Sequence, residues 1–209
     1  AFGRSISVGL STDLAKSAGG IKRRPETPPI LYPTTALYSC NVQLPGRACM
    51  TDMEKSRFEI RLVEDVFAAL PHRVRYKPYI ANRYIDPDPI RQAVEATASV
   101  EYYSAPVDLR YIAGESRVIV VSRATSTVAW CLMSHRPLVF IDCPDQPLSD
   151  QARAAFIDGF FYFDAQADDF FDALRDFLSQ PLDVIEAHWR DKTAAREIFL
   201  ARYIGDQSC

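Results

Sequence analysis

The densest group of side chains able to do chemistry is Ser122-Arg123-Ala124-Thr125-Ser126-Thr127. It follows directly on the β-branched run Val118-Ile119-Val120-Val121. An apolar stretch, Val128 to Met133, comes next and reads as a compact helix. The start of a helix carries unpaired amides and partial positive charge, which suits a phosphate. Thr125, Ser126 and Thr127 are therefore expected to donate to phosphate oxygens, with Arg123 adding charge. The competing reading is that Thr125 or Ser126 caps the helix and does nothing more.

A second group is Tyr76-Lys77-Pro78-Tyr79. Lys77 stands at the carboxyl end of a predicted strand, where its amine could meet a phosphate. Pro78 turns the chain and Tyr79 offers a ring for stacking. Taken alone, Lys77 reads equally as a solvated residue beside a strand-ending proline. Asn82, Arg83 and Tyr84 in the next loop extend this group, although Arg83 also fits a plain surface position. Asp142 ends the strand after the hydroxyl-rich loop, where it suits a ribose or sugar hydroxyl, or simply a turn.

Other reactive residues form no recognisable constellation. Cys40, Cys49, Cys131, Cys143 and Cys209 make no CxxC pair and no Cys/His ligand set, so thiols in a reducing compartment are expected. His72, His135 and His188 are scattered, and His135 lies in a turn. Asp168, Asp169, Asp172 and Asp176 recur at helical spacing opposite Phe170, Phe171, Leu174 and Leu178, which describes a solvated helix face better than a metal site. No metal and no cofactor are expected. No HExxH, GxxxxGK[ST] or serine-hydrolase order occurs.

The elements that must hold these residues alternate between strand and helix. Strands are predicted at Ile30–Thr34, Arg73–Lys77, Val100–Tyr103, Arg117–Ser122, Leu138–Ile141 and Phe160–Phe163. A capping box, Thr51-Asp52-Met53-Glu54, opens a helix that carries Ile60, Val63, Phe67 and Leu70 and stops at Pro71. Asp86-Pro87-Asp88-Pro89 caps the next helix, with Pro89 in its first turn. Pro106–Ile112 reads as a short helix, Ser149 caps another, and two more are predicted at Ala167–Ser179 and Leu182–Tyr203. This alternation predicts an open, mostly parallel α/β sheet flanked by helices. Residues 1–29 end in the basic and proline-rich IKRRPETPP and read as a linker.

Composition bounds the function. With 48% hydrophobic residues in 209, the chain can bury a core of one domain. A net charge of −3 argues against a nucleic-acid footprint. No apolar run reaches about 18 residues, and the start shows no charged-then-apolar signal pattern.

The motif YKPY, followed by a strand running into SRATSTVAWCLMSHRPLVFID, resembles the C-terminal half of GT-B glycosyltransferases. It is most similar to bacterial surface-polysaccharide enzymes of the CDP-glycerol glycerophosphotransferase, capsule Kdo-transferase and sialyltransferase types. Thr125-Ser126-Thr127 matches the family's Ser/Thr pair, and Arg136-Pro137-Leu138-Val139-Phe140 its next strand entry. Lys77-Pro78 matches the first motif in part, since Lys replaces the His before Pro. The resemblance covers about residues 30–180. It implies a Rossmann-like domain at 30–209 that binds a nucleotide-activated sugar donor, with 1–29 as the interdomain linker. It further implies a missing N-terminal domain that holds a carbohydrate or lipid-linked acceptor. It implies metal-free stabilisation of the leaving phosphate, and a cytoplasmic protein or one peripheral at the inner membrane. Lys77, Tyr79, Arg123, Thr125, Ser126, Thr127 and Asp142 are the expected donor-binding residues, and the catalytic residue is left unassigned. The chain alone is then expected to bind a nucleotide without efficient transfer. A UDP-sugar 2-epimerase-like enzyme and a non-catalytic nucleotide-binding module are the alternatives.

Overall fold

The computed structural model describes residues 26–35, 50–79, 88–144 and 148–203, with only the backbone at Ser126. Six strands form one sheet: β1 (Ile30–Pro33), β2 (Val74–Lys77), β3 (Val100–Tyr102), β4 (Val118–Val121), β5 (Leu138–Asp142) and β6 (Phe161–Asp164). Their order is β3-β2-β1-β4-β5-β6, and every pairing is parallel. The sheet is thus fully parallel, an α/β Rossmann-like architecture. Every residue of β1, β2, β4 and β5 is buried, as expected of central strands covered on both faces.

Local chemistry starts the helices where it should. Helix α1 (Asp52–Arg61) opens on the complete capping box: the Glu54 amide donates to Thr51 Oγ1 at 3.2 Å, and the Thr51 amide to Glu54 Oε2 at 2.8 Å. The helix widens into a π-type turn at Leu62–Val66 and tightens into a 3-10 turn at Phe67–Ala69. Leu70 is then extended, the conformation that a residue before Pro71 prefers. Helix α2 (Pro89–Ala96) is capped by Asp88, with Pro89 first in the helix. Asp86 and Pro87 lie outside the described residues. Helix α3 (Ser126–Met133) is capped by Thr125 and α4 (Asp150–Gly159) by Ser149. Helices α5 (Phe170–Leu178), α6 (Leu182–Asp191) and α7 (Thr193–Tyr203) follow β6.

Two expected helices differ. Pro106–Ile112 yields only a 3-10 turn at Leu109–Tyr111, capped by Asp108, and a second such turn follows at Ala113–Glu115. The predicted helix Leu182–Tyr203 breaks at Lys192, whose amine donates to the carbonyls of Ile157 and Asp158 at the end of α4. The break lets α7 turn back so that Phe199 meets Phe156 and Phe160 edge-on, at 5.0 and 4.8 Å between ring centroids.

The chain moves outward in one direction from β1 to β3 and in the other from β4 to β6. Right-handed crossovers therefore put α1 and α2 on one face and α3 and α4 on the other. Helix α5 returns to the α1 layer, where Phe170 stacks on Phe58 at 5.9 Å. Of the expected linker, residues 1–25 lie outside the described residues. Its last residues are tied to the sheet: the Pro29 carbonyl accepts from the amides of Arg117 and Val118 at 2.7 and 3.0 Å.

Candidate functional site

The strand order reverses between β1 and β4. Open α/β sheets bind their ligands beyond the carboxyl ends of the strands at such a reversal. Thr34 and Thr35 follow β1 there, and Ser122 to Thr127 follow β4.

Parallel register aligns a row of tyrosines near this edge. Tyr32 on β1 pairs with Tyr76 on β2, and Tyr76 with Tyr102 on β3, so all three project to one face. Ring centroids are 5.7 Å apart for the first pair and 6.0 Å for the second. Above the row, α1 presents Lys55 and Glu59, one helical turn apart and both buried. Glu59 Oε1 accepts from Lys55 Nζ at 2.5 Å, from the Thr34 hydroxyl, and from Tyr32 at 3.4 Å. Glu59 Oε2 accepts from the Tyr76 hydroxyl at 2.5 Å. Lys55 also donates to Thr34 at 2.8 Å, and Tyr32 Oη lies 3.2 Å from Ser122 Oγ. The network spans β2, β1, α1 and the end of β4.

Burial pushes the phenols of Tyr32 and Tyr76 well up, and the Glu59 charge pushes them further. Both stay protonated as hydrogen-bond donors. Asp88 is likewise pushed above the usual carboxylate range by burial.

The hydroxyl-rich loop takes the place expected of it. Thr125 is extended, exposed and caps α3, its Oγ1 accepting from the Thr127 amide at 3.3 Å. Ser126 is the first helical residue, and Arg123 is partly buried. The phosphate and helix-cap readings are therefore compatible, because one threonine oxygen can accept from the amide while its hydrogen goes to a ligand.

The remaining candidates are more dispersed. Lys77 ends β2, two strand spacings or roughly 10 Å from β4 across β1. Its amine donates to the carbonyls of Pro78 at 3.3 Å and Ala105 at 3.2 Å, and lies 5.7 Å from the Tyr103 ring centroid. In this arrangement it fastens the segment after β3. Burial holds its pKa below the usual lysine range, against the pull of Asp108. Tyr79 follows β2 and is half exposed. Asn82, Arg83 and Tyr84 lie outside the described residues. Asp142 is buried at the end of β5, where Oδ2 accepts from Tyr162 at 2.6 Å and from Arg153 Nε at 3.2 Å. The structure thus gathers Arg123, Thr125, Ser126 and Thr127 at the reversal and leaves Lys77 and Asp142 on flanking strands, each engaged within the chain.

His135 adopts φ 57° just after α3, an ending that helices commonly use. Cys131 and Cys143 are buried thiols, while Cys40, Cys49 and Cys209 lie outside the described residues. Asp168, Asp169, Asp172 and Asp176 are exposed, as a solvated face requires. Among the described residues no helix is long and apolar enough to cross a membrane.

The sequence reading missed Tyr32, Thr34, Lys55 and Glu59. A signal was present. Lys55 and Glu59 continue the stripe of Leu62 and Val66 at helical spacing, so two opposite charges occupy core-facing positions. Comparison with protein-family models and with curated proteins finds no match to this chain.

Proposed function

We propose that this chain binds a nucleotide at the carboxyl edge of its sheet and serves as the donor-binding domain of a glycosyltransferase. In this reading the donor phosphates lie against the start of α3, between Arg123 and Thr127. One observation carries it: the turn after β4, whose Thr125 caps α3, stands at the strand-order reversal, where such sheets bind ligands. The first amides of α3, the hydroxyls of Thr125, Ser126 and Thr127, and the Arg123 charge would stabilise a leaving nucleotide phosphate as charge builds on its oxygens. That the donor carries a sugar or polyol phosphate, and that the acceptor is a carbohydrate or lipid-linked molecule, rests on the resemblance of residues 30–180 to GT-B enzymes.

The test is a thermal-shift and calorimetry panel of CMP, CDP, UDP and GDP on the whole chain. One nucleotide is expected to raise the melting temperature, and Thr125→Ala with Ser126→Ala is expected to weaken its binding about tenfold or more. A panel with no binder at millimolar concentration would overturn the reading. Binding that ignores the double substitution would move the site elsewhere on the fold.

A further inference from the structure

The buried network reaches the proposed phosphate turn through the hydroxyl of Ser122. Ser122 directly follows β4, and its Oγ lies 3.2 Å from Tyr32 Oη. Both side chains are buried, and their positions are 90 residues apart in sequence. Tyr32 carries one hydrogen and has two partners for it, Ser122 and Glu59 Oε1. Glu59 Oε1 already accepts from Lys55 and Thr34, and the Tyr32 contact at 3.4 Å is the longest of the set. The hydrogen of Tyr32 can therefore swing from Glu59 to Ser122 without leaving the carboxylate unsatisfied.

That swing decides what Ser122 can offer. While Tyr32 donates to Glu59, Ser122 directs its hydrogen at Tyr32. When Tyr32 donates to Ser122 instead, the serine hydrogen is released for another acceptor. We infer that Ser122 is a further ligand-binding residue, donating to an anionic oxygen of a nucleotide phosphate, and that Tyr32 and Glu59 are the positioning residues that allow it to donate. The inference rests on the phosphate reading above. No covalent bond changes; one hydrogen bond moves from the interior to the ligand, and the carboxylate keeps three donors. A Ser122 that merely sealed the network would leave ligand affinity unmoved.

The experiment is calorimetry on the full chain with CDP, UDP, GDP and inorganic pyrophosphate as probes. The variants are Ser122→Ala, Ser122→Thr, Tyr32→Phe and the double variant Ser122→Ala/Tyr32→Phe, with Thr125→Ala as the marker of the turn itself. For the best probe, Ser122→Ala is expected to weaken binding about tenfold and Tyr32→Phe about fivefold, while Ser122→Thr stays within about threefold of the parent. The double variant is expected to bind within about twofold of Ser122→Ala alone, because both substitutions break one relay. Unchanged affinity in Ser122→Ala alongside a loss in Thr125→Ala would overturn this inference and leave the phosphate site standing. Additive losses would overturn the relay. Failure of the parent chain to bind any of the four probes would remove the phosphate reading and this inference with it. If Tyr32→Phe does not fold, the contrast between Ser122→Ala and Ser122→Thr decides.

Discussion

The hydroxyl of Tyr76 donates to Glu59 over 2.5 Å, and neither side chain reaches solvent. Lys55 lies 2.5 Å from the other oxygen of that carboxylate. A buried ion pair of this kind is a poor source of net stability, yet breaking it from one side leaves an uncompensated charge. The pair is better understood as holding two tyrosines, a threonine and a serine in one arrangement at the sheet's carboxyl edge.

Removing half of this pair should be worse than removing all of it. Glu59→Gln leaves Lys55 buried without its counter-charge and is expected to lose about 3 kcal/mol or more. Lys55→Met/Glu59→Gln keeps an amide oxygen for the tyrosines and removes the orphan charge, so it should lose less than the single variant. Urea denaturation of the three chains measures the order, and a double variant weaker than Glu59→Gln would contradict it.

Tyr76→Phe isolates the hydroxyl. The ring keeps its contacts with Tyr32 and Tyr102, while a hydrogen bond to a charged group is lost. The expected loss is about 1.5–3 kcal/mol with the sheet intact. Denaturant midpoints give the loss, and an unchanged far-UV circular dichroism spectrum verifies the sheet.

The capping box of α1 should show itself in acid. The backbone amide of Thr51, and then its hydroxyl, donate to Glu54 and hold its carboxyl below the usual range. A depressed carboxylate contributes stability above its unfolded pKa, about 4.3, and that contribution fades as pH falls through the folded value. Asp88, raised by burial, acts in the opposite sense. The quantity to read is thus the difference in urea midpoint between the parent and Glu54→Gln. It should favour the parent at pH 7 and shrink by pH 3.

Lys77 predicts the opposite limb. Burial lowers its folded pKa below the unfolded value of about 10.4. Between those two values the unfolded chain binds more protons, so this residue's contribution to stability rises with pH. Lys77→Met removes that rise. Urea midpoints from pH 7.5 to 10.5 should therefore converge between the two chains if Lys77→Met is the more stable at neutral pH, and in every case the parent should gain on the variant as pH increases.

Arg117 ties the start of β4 to α6, its Nε and Nη2 each 2.7 Å from a different oxygen of Glu186, with Asp183 as a further partner. Two parallel bonds need the planar fork of arginine, so Arg117→Lys should behave much like Arg117→Met. Each is expected to lose about 1 kcal/mol, since the pair is partly exposed. Faster amide hydrogen exchange in Leu182–Asp191 would locate the loss in α6.

Much of the fold was legible because its causes are local. The run Val118–Val121 has the β-branched character of a strand covered on both faces, and it is a central strand. Thr51, Asp88, Thr125 and Ser149 cap the helices predicted to follow them, since a cap needs only the next three residues. The hydroxyl-rich turn after β4 was visible for the same reason. The tertiary structure alone decided that β1 and β4 lie side by side with the reversal between them, because pairing brings together positions about 90 residues apart. It alone placed Glu59 against Tyr32, Thr34, Lys55 and Tyr76, and Tyr32 against Ser122. In a linear pattern Lys55 and Glu59 stand at i,i+4 in line with Leu62 and Val66, which marks a core-facing face of the helix but names none of the partners across it. They become a buried site only when register aligns Tyr32 with Tyr76 beneath them, and register is set by packing across the whole sheet.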